Sequence, residues 1–266
     1  MTPFSITTGA LAASCYLFTA YLLIVGIRRE AINLKATRLV GIIGVTLHGV
    51  SIFKMIFASE GLQLGIIAST SLVAWTIITI GTINTLWRHV EILLAPAYPL
   101  AAMSIIIGLL YNDRTPPLAH LDSGIITHIL TSIIAYSVIA LALFQAIFVW
   151  IQNYQLKHRK IHRLLQALPP LQTMENALFD LIIAGLLLLT TAIITGFMYV
   201  DDIFAQHLAH KTVFTLGSWA VFALLLFGKH LWGWRGMVAV KWTLTGFLLL
   251  LLGFFGSKIV IELLLS

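Results

Sequence analysis

Three histidines lie inside apolar stretches of the chain. Their imidazole side chains are candidates to bind a metal ion or a metal-containing cofactor. The histidines are His48, His128 and His230. A polar side chain within a membrane is costly and usually points into a helix bundle or toward a ligand. Imidazole ligates haem iron, and a helix bundle can hold a flat apolar macrocycle, so the three histidines predict axial ligands of non-covalently bound haem b. The alternative is that each histidine only hydrogen-bonds neighbouring helices.

The three histidines lie at different depths in their segments. His48 lies mid-way, His128 lies one turn from one end, and His230 lies near the other side of the membrane. We expect His48 and His230 to face one ring and His128 to belong to a separate, outer-side site. At about 100° per residue, Gly41 lies about 20° from His48, so this face is predicted to pack closely against another helix.

The segment that contains His230 carries further candidate binding residues. On a helical wheel Thr212, Trp219 and His230 fall within about 20° of each other. Trp219 is a candidate to pack on a haem ring, with ordinary core packing as the alternative. Four cations could meet haem propionates or instead mark membrane interfaces: Arg235 and Lys229 near His230, and Arg114 and Lys211 near His128.

Composition limits the class of protein. Of the 266 residues, 59% are hydrophobic and 10% are charged, against about 25% charged in a soluble domain, so the chain is predicted to be a polytopic membrane protein. The net charge of +6 then reflects membrane topology, and no nucleic-acid partner is expected. Cys15 is the single cysteine, which excludes an internal disulfide and a Cys-x-x-Cys-His haem attachment site.

Eight apolar segments are each long enough to cross a ~30 Å hydrocarbon core. They predict an all-α integral membrane helix bundle forming a single transmembrane domain, residues 1–266. The segments are Ser5–Ile27, Leu39–Ala58, Gly65–Leu86, Ala95–Tyr111, Gly124–Gln152, Phe179–Tyr199, Thr212–Leu231 and Val238–Leu263. We expect the fifth helix to continue beyond the membrane.

The distribution of basic residues predicts the orientation. Ten of them fall in loops on one side: Arg28, Arg29, Lys35, Arg38, Arg88, Lys157, Arg159, Lys160, Arg163 and Arg235. The loops on the other side hold only Arg114 and Lys211. Because cytoplasmic loops carry the excess of lysine and arginine, both termini are predicted to be periplasmic.

Several stretches resemble the CcsA/CcmC/HemX cytochrome c assembly family. The stretch HLDSGIITHILTSIIAY, from His120 to Tyr136, is similar to the family helix that carries an outer-side histidine. The run from Lys211 to Gly236, with its Gly-Trp-Arg-Gly turn, is similar to a later family helix. The likeness is greatest to the YpjD branch and includes Pro169-Pro170-Leu171 and the stretch from Gly256 to Val260.

The resemblance implies a location, a cofactor and ligand residues. It implies a multi-pass protein of the bacterial inner membrane that handles or transports haem for cytochrome c biogenesis, with other maturation proteins as partners. It assigns His128 as an outer-side haem ligand and His230 as an intramembrane ligand near the cytoplasm. Two family features are not matched: residues 201–210 contain no tryptophan, and the second outer-side histidine is absent near Phe254.

Two other functions remain open. A transporter for another solute would use the same polar faces without a bound chromophore. An accessory scaffold would use the histidines only as hydrogen-bonding groups and would tolerate asparagine or glutamine in their place. Enzymatic turnover is not expected, because the sequence shows no carboxylate pair, nucleophile–base pair or phosphate loop.

Overall fold

A computed structural model describes residues 3–58, 61–86, 91–111, 122–159, 167–199 and 206–256. Within these residues the chain forms eight long α-helices, and eight stretches are long and apolar enough to cross a membrane. The predicted multi-pass, all-helical architecture is therefore confirmed. The helices are α1 (Pro3–Arg29), α2 (Leu34–Ile56), α3 (Ile66–Thr85), α4 (Ala97–Leu110), α5 (Ser123–Lys157), α6 (Leu171–Tyr199), α7 (Gln206–Trp232) and α8 (Met237–Leu251).

Shorter elements lie beside the long helices. Two strands of two residues each, Phe57–Ala58 and Gly61–Leu62, pair antiparallel after α2. A 3₁₀ turn, Glu91–Leu94, precedes α4. Five residues of π-helix, Leu252–Gly256, follow α8. The predicted end of the eighth segment beyond Gly256 lies outside the described residues, as do Arg114 and residues 201–205.

Several helices extend past the apolar segments that predict them. Helix α5 has 35 residues, a length of about 50 Å at 1.5 Å per residue, so it continues beyond a ~30 Å core as expected. Helix α6 begins at Leu171, directly after Pro169-Pro170, and not at Phe179. Its first turns are amphipathic. A search for apolar segments does not detect helical turns that carry polar residues outside the hydrocarbon region.

The helices group into two compact units. Helices α1 to α4 belong to the first unit, and α5 to α8 belong to the second. Packing within each unit neither confirms nor contradicts a single transmembrane domain over residues 1–266, which stays a prediction.

Close packing in the first unit depends on small residues of α2. A Cβ atom on Gly41 would lie 2.8 Å from the Tyr98 hydroxyl, and one on Gly44 would lie 2.8 Å from the Tyr16 ring. Glycines at this spacing let neighbouring side chains approach the helix backbone. His48 lies on this face and is 1% exposed, so the prediction that the face is packed is confirmed.

In the second unit, α5 packs along α6, and α7 packs along α8. A Cβ atom on Gly185 of α6 would lie 2.6 Å from Ile139 of α5, and one on Gly246 of α8 would lie 2.7 Å from the Phe222 ring of α7. The Ser218 hydroxyl donates a 2.8 Å hydrogen bond to the Gly246 carbonyl. These contacts fix the α5–α6 and α7–α8 registers.

Candidate functional site

His128 lies near the start of α5 and is held by the backbone of α6. Its Nδ1 is 2.8 Å from the carbonyl oxygen of Ala192. A carbonyl can only accept, so Nδ1 carries the hydrogen and donates it. In the neutral ring Nε2 therefore keeps the lone pair. The weaker contact of the ring, 3.5 Å to the Thr195 hydroxyl, also uses Nδ1, so neither contact occupies Nε2.

Gly196 makes this approach possible. A Cβ atom there would lie 2.9 Å from Cε1 of His128 and 3.2 Å from Nδ1, closer than normal van der Waals contact. Ala192 and Gly196 are one turn apart on α6 and form a small-residue stripe, which allows a side chain to reach the helix backbone. The imidazole is therefore positioned by two small residues and one carbonyl.

The imidazole lines a cavity of about 190 Å³ within the second unit. Its polar lining comes from two helices, with His128, Ser132 and Tyr136 on α5, and Lys211, Thr212 and Thr215 on α7. The remaining lining residues are apolar or small: Leu189, Ala192, Ile193, Gly196, Phe197 and Leu216. An apolar cavity with a few converging polar groups is typical of a small-molecule site.

The Tyr136 hydroxyl is the least satisfied polar group of this lining. The atom is buried and has no partner at hydrogen-bonding geometry, although the Thr215 side chain lies near it. The Tyr136 ring packs against Phe254, with 5.2 Å between ring centroids. A buried hydroxyl without a partner costs about 1–3 kcal/mol, so its presence calls for an explanation.

His48 has a different environment from His128. Its Nδ1 lies 3.3 Å from the Tyr16 hydroxyl of α1, and its Nε2 lies 2.9 Å from the Ser71 hydroxyl of α3. The ring therefore links three helices through both of its nitrogens. This geometry favours the hydrogen-bonding alternative for His48, and ligation of iron by His48 stays a prediction.

His230 lies in the last turn of α7 with an exposed side chain. The neighbouring Lys229 ammonium lies 3.9 Å from the centroid of the Phe179 ring, in a cation–π contact. The structure does not place His230 in the cavity that His128 lines. Its role as a haem ligand stays a prediction.

The other two predicted binding residues make contacts within the second unit. Trp219 is 36% exposed, and its indole Nε1 donates a 2.9 Å hydrogen bond to the Thr190 hydroxyl. Arg235 Nε lies 3.5 Å from the Glu175 carboxylate. Both residues lie outside the cavity lining, so their proposed contacts with haem stay predictions.

The Gly-Trp-Arg-Gly turn ends α7 through two glycines in the left-handed region. Gly233 has φ +66° and Gly236 has φ +58°, a conformation that favours residues without a Cβ atom. The turn folds Trp234 back onto Gly228 of α7. There Trp234 packs between Trp232 and Trp242, with tilted rings at 5.4 Å and 5.2 Å between ring centroids.

Several residues that line the His128 cavity were not singled out from the sequence, among them Ala192, Gly196 and Thr215. Ala192 and Gly196 are spaced i, i+4 on α6, and this small-residue spacing is the signal that could have identified them. Thr215 is one turn from Lys211 on α7, so the position of Lys211 near His128 could have drawn attention to it. Only the register between the helices shows that these residues share a cavity with His128.

Comparisons with known proteins agree with this architecture. Residues 36–265 match the family described as cytochrome C assembly protein. The chain is 30% identical over 227 residues to inner membrane protein YpjD of Escherichia coli (strain K12), covering 84% of this chain and 85% of the relative. It is 29% identical over 141 residues, 52% of each chain, to an uncharacterized 28.8 kDa protein in the nifR3-like 5' region of Azospirillum brasilense.

No solved structure gives a significant match. The family match covers most of the chain, and the Escherichia coli relative aligns over most of its own length. The chain is therefore a membrane protein that belongs to the cytochrome c assembly protein family.

Proposed function

We propose that the protein binds haem b non-covalently and handles haem for cytochrome c biogenesis, and that His128 would hold the haem iron. The observation that carries this proposal is the hydrogen bond from Nδ1 of His128 to the Ala192 carbonyl, 2.8 Å long. Metal-ligating histidines almost always donate their other ring N–H to a carbonyl, a carboxylate or water. This bond fixes the tautomer whose Nε2 lone pair is available to iron.

The lining of the cavity fits such a cofactor. Imidazole is a common protein ligand of haem iron, and apolar walls suit a flat ring. Lys211 lines the same cavity and would bring positive charge near acidic ring substituents. When bound, the iron would supply a redox-active centre, while the residues of the chain hold and orient it.

The size of the cavity indicates how the macrocycle would be held. At about 190 Å³, it is smaller than the roughly 300–1,000 Å³ of typical ligand pockets. Phe197 lines the cavity and is 51% exposed. A macrocycle held at His128 would need more room than the cavity offers, which a movement of the Phe197 side chain would provide.

The other predicted elements complete the proposal. His230, with an exposed imidazole at the far end of α7, would provide a second, separate haem contact close to Arg235. Both termini would face the periplasm of a bacterial inner membrane, as the basic residues indicate. The protein would act without enzymatic turnover, together with other maturation proteins.

Absorption spectroscopy of the purified protein tests the proposal. The full chain is produced with ample haem, purified in mild detergent, and measured oxidised and after dithionite reduction. We expect a Soret band and sharp reduced bands that are lost in His128→Ala and retained in His48→Ala. A colourless wild-type protein that takes up no added haem would overturn the proposal.

A scaffold function is the second candidate, favoured by one observation. The two hydrogen bonds of His48 show that a membrane histidine in this chain can be fully occupied by structural contacts. If all three histidines act in this way, His128→Asn and His230→Asn will leave fold and function intact.

A transporter of another solute would instead move its substrate without any bound chromophore.

A further inference from the structure

Polar groups gather at one part of the His128 cavity and are not explained by ligation of iron. A Cβ atom on Gly253, in the π-helical turn after α8, would lie 3.4 Å from the Lys211 carbonyl oxygen and 3.6 Å from the Thr215 hydroxyl. The next residue, Phe254, packs on the Tyr136 ring. The π-helical turn therefore contacts Tyr136 through Phe254 and lies beside the Thr215 hydroxyl and the Lys211 backbone, and all three of these residues line the cavity. π-Helical turns often occur at functional sites.

The Tyr136 and His128 side chains have different neighbours, although both lie on α5. The His128 ring is bonded to the Ala192 carbonyl of α6, whereas the Tyr136 ring packs on Phe254. The Tyr136 hydroxyl is buried near the Thr215 side chain and has no partner at hydrogen-bonding geometry. We therefore seek a role for this hydroxyl other than ligation of iron.

We propose that Tyr136 is a positioning residue that donates its hydroxyl hydrogen to a carboxyl group of the macrocycle bound at His128. This inference rests on the proposed function. The cavity lining supplies a phenol, the Thr215 hydroxyl and the Lys211 cation on otherwise apolar walls. A carboxylate is expensive to bury unless it is hydrogen-bonded and its charge is offset. Tyr136 and Thr215 would provide the hydrogen bonds, and Lys211 provides positive charge in the same cavity lining, so the ring would be oriented with an acidic edge toward Tyr136.

Two iron porphyrins separate this role from a merely structural one. Protohaem carries propionates, whereas iron etioporphyrin carries only alkyl groups. Both are titrated into the full-length protein in detergent and followed by the Soret band, using wild type, Tyr136→Phe and His128→Ala. Tyr98→Phe is the matched control, because it removes a buried tyrosine hydroxyl from the first unit.

We expect Tyr136→Phe to weaken binding of protohaem about tenfold or more, because a hydrogen bond to a charged acceptor is lost. Binding of iron etioporphyrin should not change, and Tyr98→Phe should bind both porphyrins as the wild type does. Without porphyrin, Tyr136→Phe should be at least as heat-stable as the wild type, because it removes an unpartnered hydroxyl.

An equal loss for both porphyrins, or no loss for either, would overturn the role of Tyr136 while leaving the haem site in place. A wild-type protein that binds neither porphyrin, or His128→Ala that binds both normally, would instead overturn the proposed function and this inference with it.

Discussion

Gly196→Ala tests whether the contact between His128 and Ala192 supports ligand binding. The new Cβ atom would lie 2.9 Å from Cε1 of His128 and 3.2 Å from Nδ1. Since favourable contacts between heavy atoms lie at about 3.5–4.0 Å, the imidazole must move by about 0.5–1 Å. Nδ1 now lies 2.8 Å from the Ala192 oxygen, and a shift of this size takes it past the ~3.2 Å limit of a good hydrogen bond.

The effects on stability and on binding should differ. Loss of the hydrogen bond costs about 0.5–1.5 kcal/mol, while alanine favours a helix over glycine by about 1 kcal/mol. The free energy of unfolding should therefore change by about 1 kcal/mol or less. Loss of the group that orients a metal-ligating histidine weakens binding about 10–100-fold, and we expect this loss for haem.

The matched control is Gly217→Ala on α7. Its Cβ atom would lie 3.8 Å from Leu249, an ordinary contact, so haem binding and stability should not fall. Soret titration and thermal unfolding of both variants measure the two effects separately. A Gly196→Ala protein that binds haem as tightly as Gly217→Ala would refute the reasoning.

Further predictions concern the rest of the fold. His48→Ala should lower the free energy of unfolding by about 1–3 kcal/mol, because two buried hydroxyls lose their partner; thermal unfolding measures this, and loss of the Soret band would contradict a purely structural role. Glu91→Gln breaks the 2.6 Å ion pair with Arg38, in which Glu91 is 4% exposed. We expect this change to lower the free energy of unfolding by about 1–3 kcal/mol. This is less than the roughly 3–5 kcal/mol lost when a fully buried ion pair is broken, because Arg38 is 24% exposed. An unchanged unfolding curve would contradict a stabilising role for this ion pair. Gly228→Val should displace Trp234 from α7 and shift tryptophan fluorescence, and an unaltered emission spectrum would show that this packing is not needed.

The number of helices followed from the sequence because apolar length is a direct requirement of the bilayer. The start of α6 was not predicted correctly from the sequence. The helix begins before the apolar segment, and its first turns contain polar residues such as Glu175 that a search for apolar segments leaves out. The packed face of α2 was predicted correctly from Gly41 and His48, since small residues at helical spacing mark close approach. Patterns of this kind can be recognised in the sequence of one helix, without knowledge of the helices that pack against it.

The candidate site was only partly predictable, for a related reason. All three histidines, His48, His128 and His230, were predicted from the sequence to be haem ligands. In the structure His48 has both ring nitrogens bonded, His128 lines a cavity and bonds only through Nδ1, and His230 is exposed. These differences come from partners such as Ala192 on other helices. A single sequence does not specify the register between helices, so it could not distinguish the three histidines.

The most direct test of His128 as a haem ligand is chemical rescue of His128→Gly with free imidazole. The variant is purified in detergent, supplied with haem, and its Soret and reduced bands are recorded as imidazole is added. We expect the bands to be weak without imidazole and to return toward the wild-type spectrum as imidazole fills the position of the missing ring. A His128→Gly protein with a wild-type spectrum before any imidazole is added would contradict the assignment of His128 as the ligand.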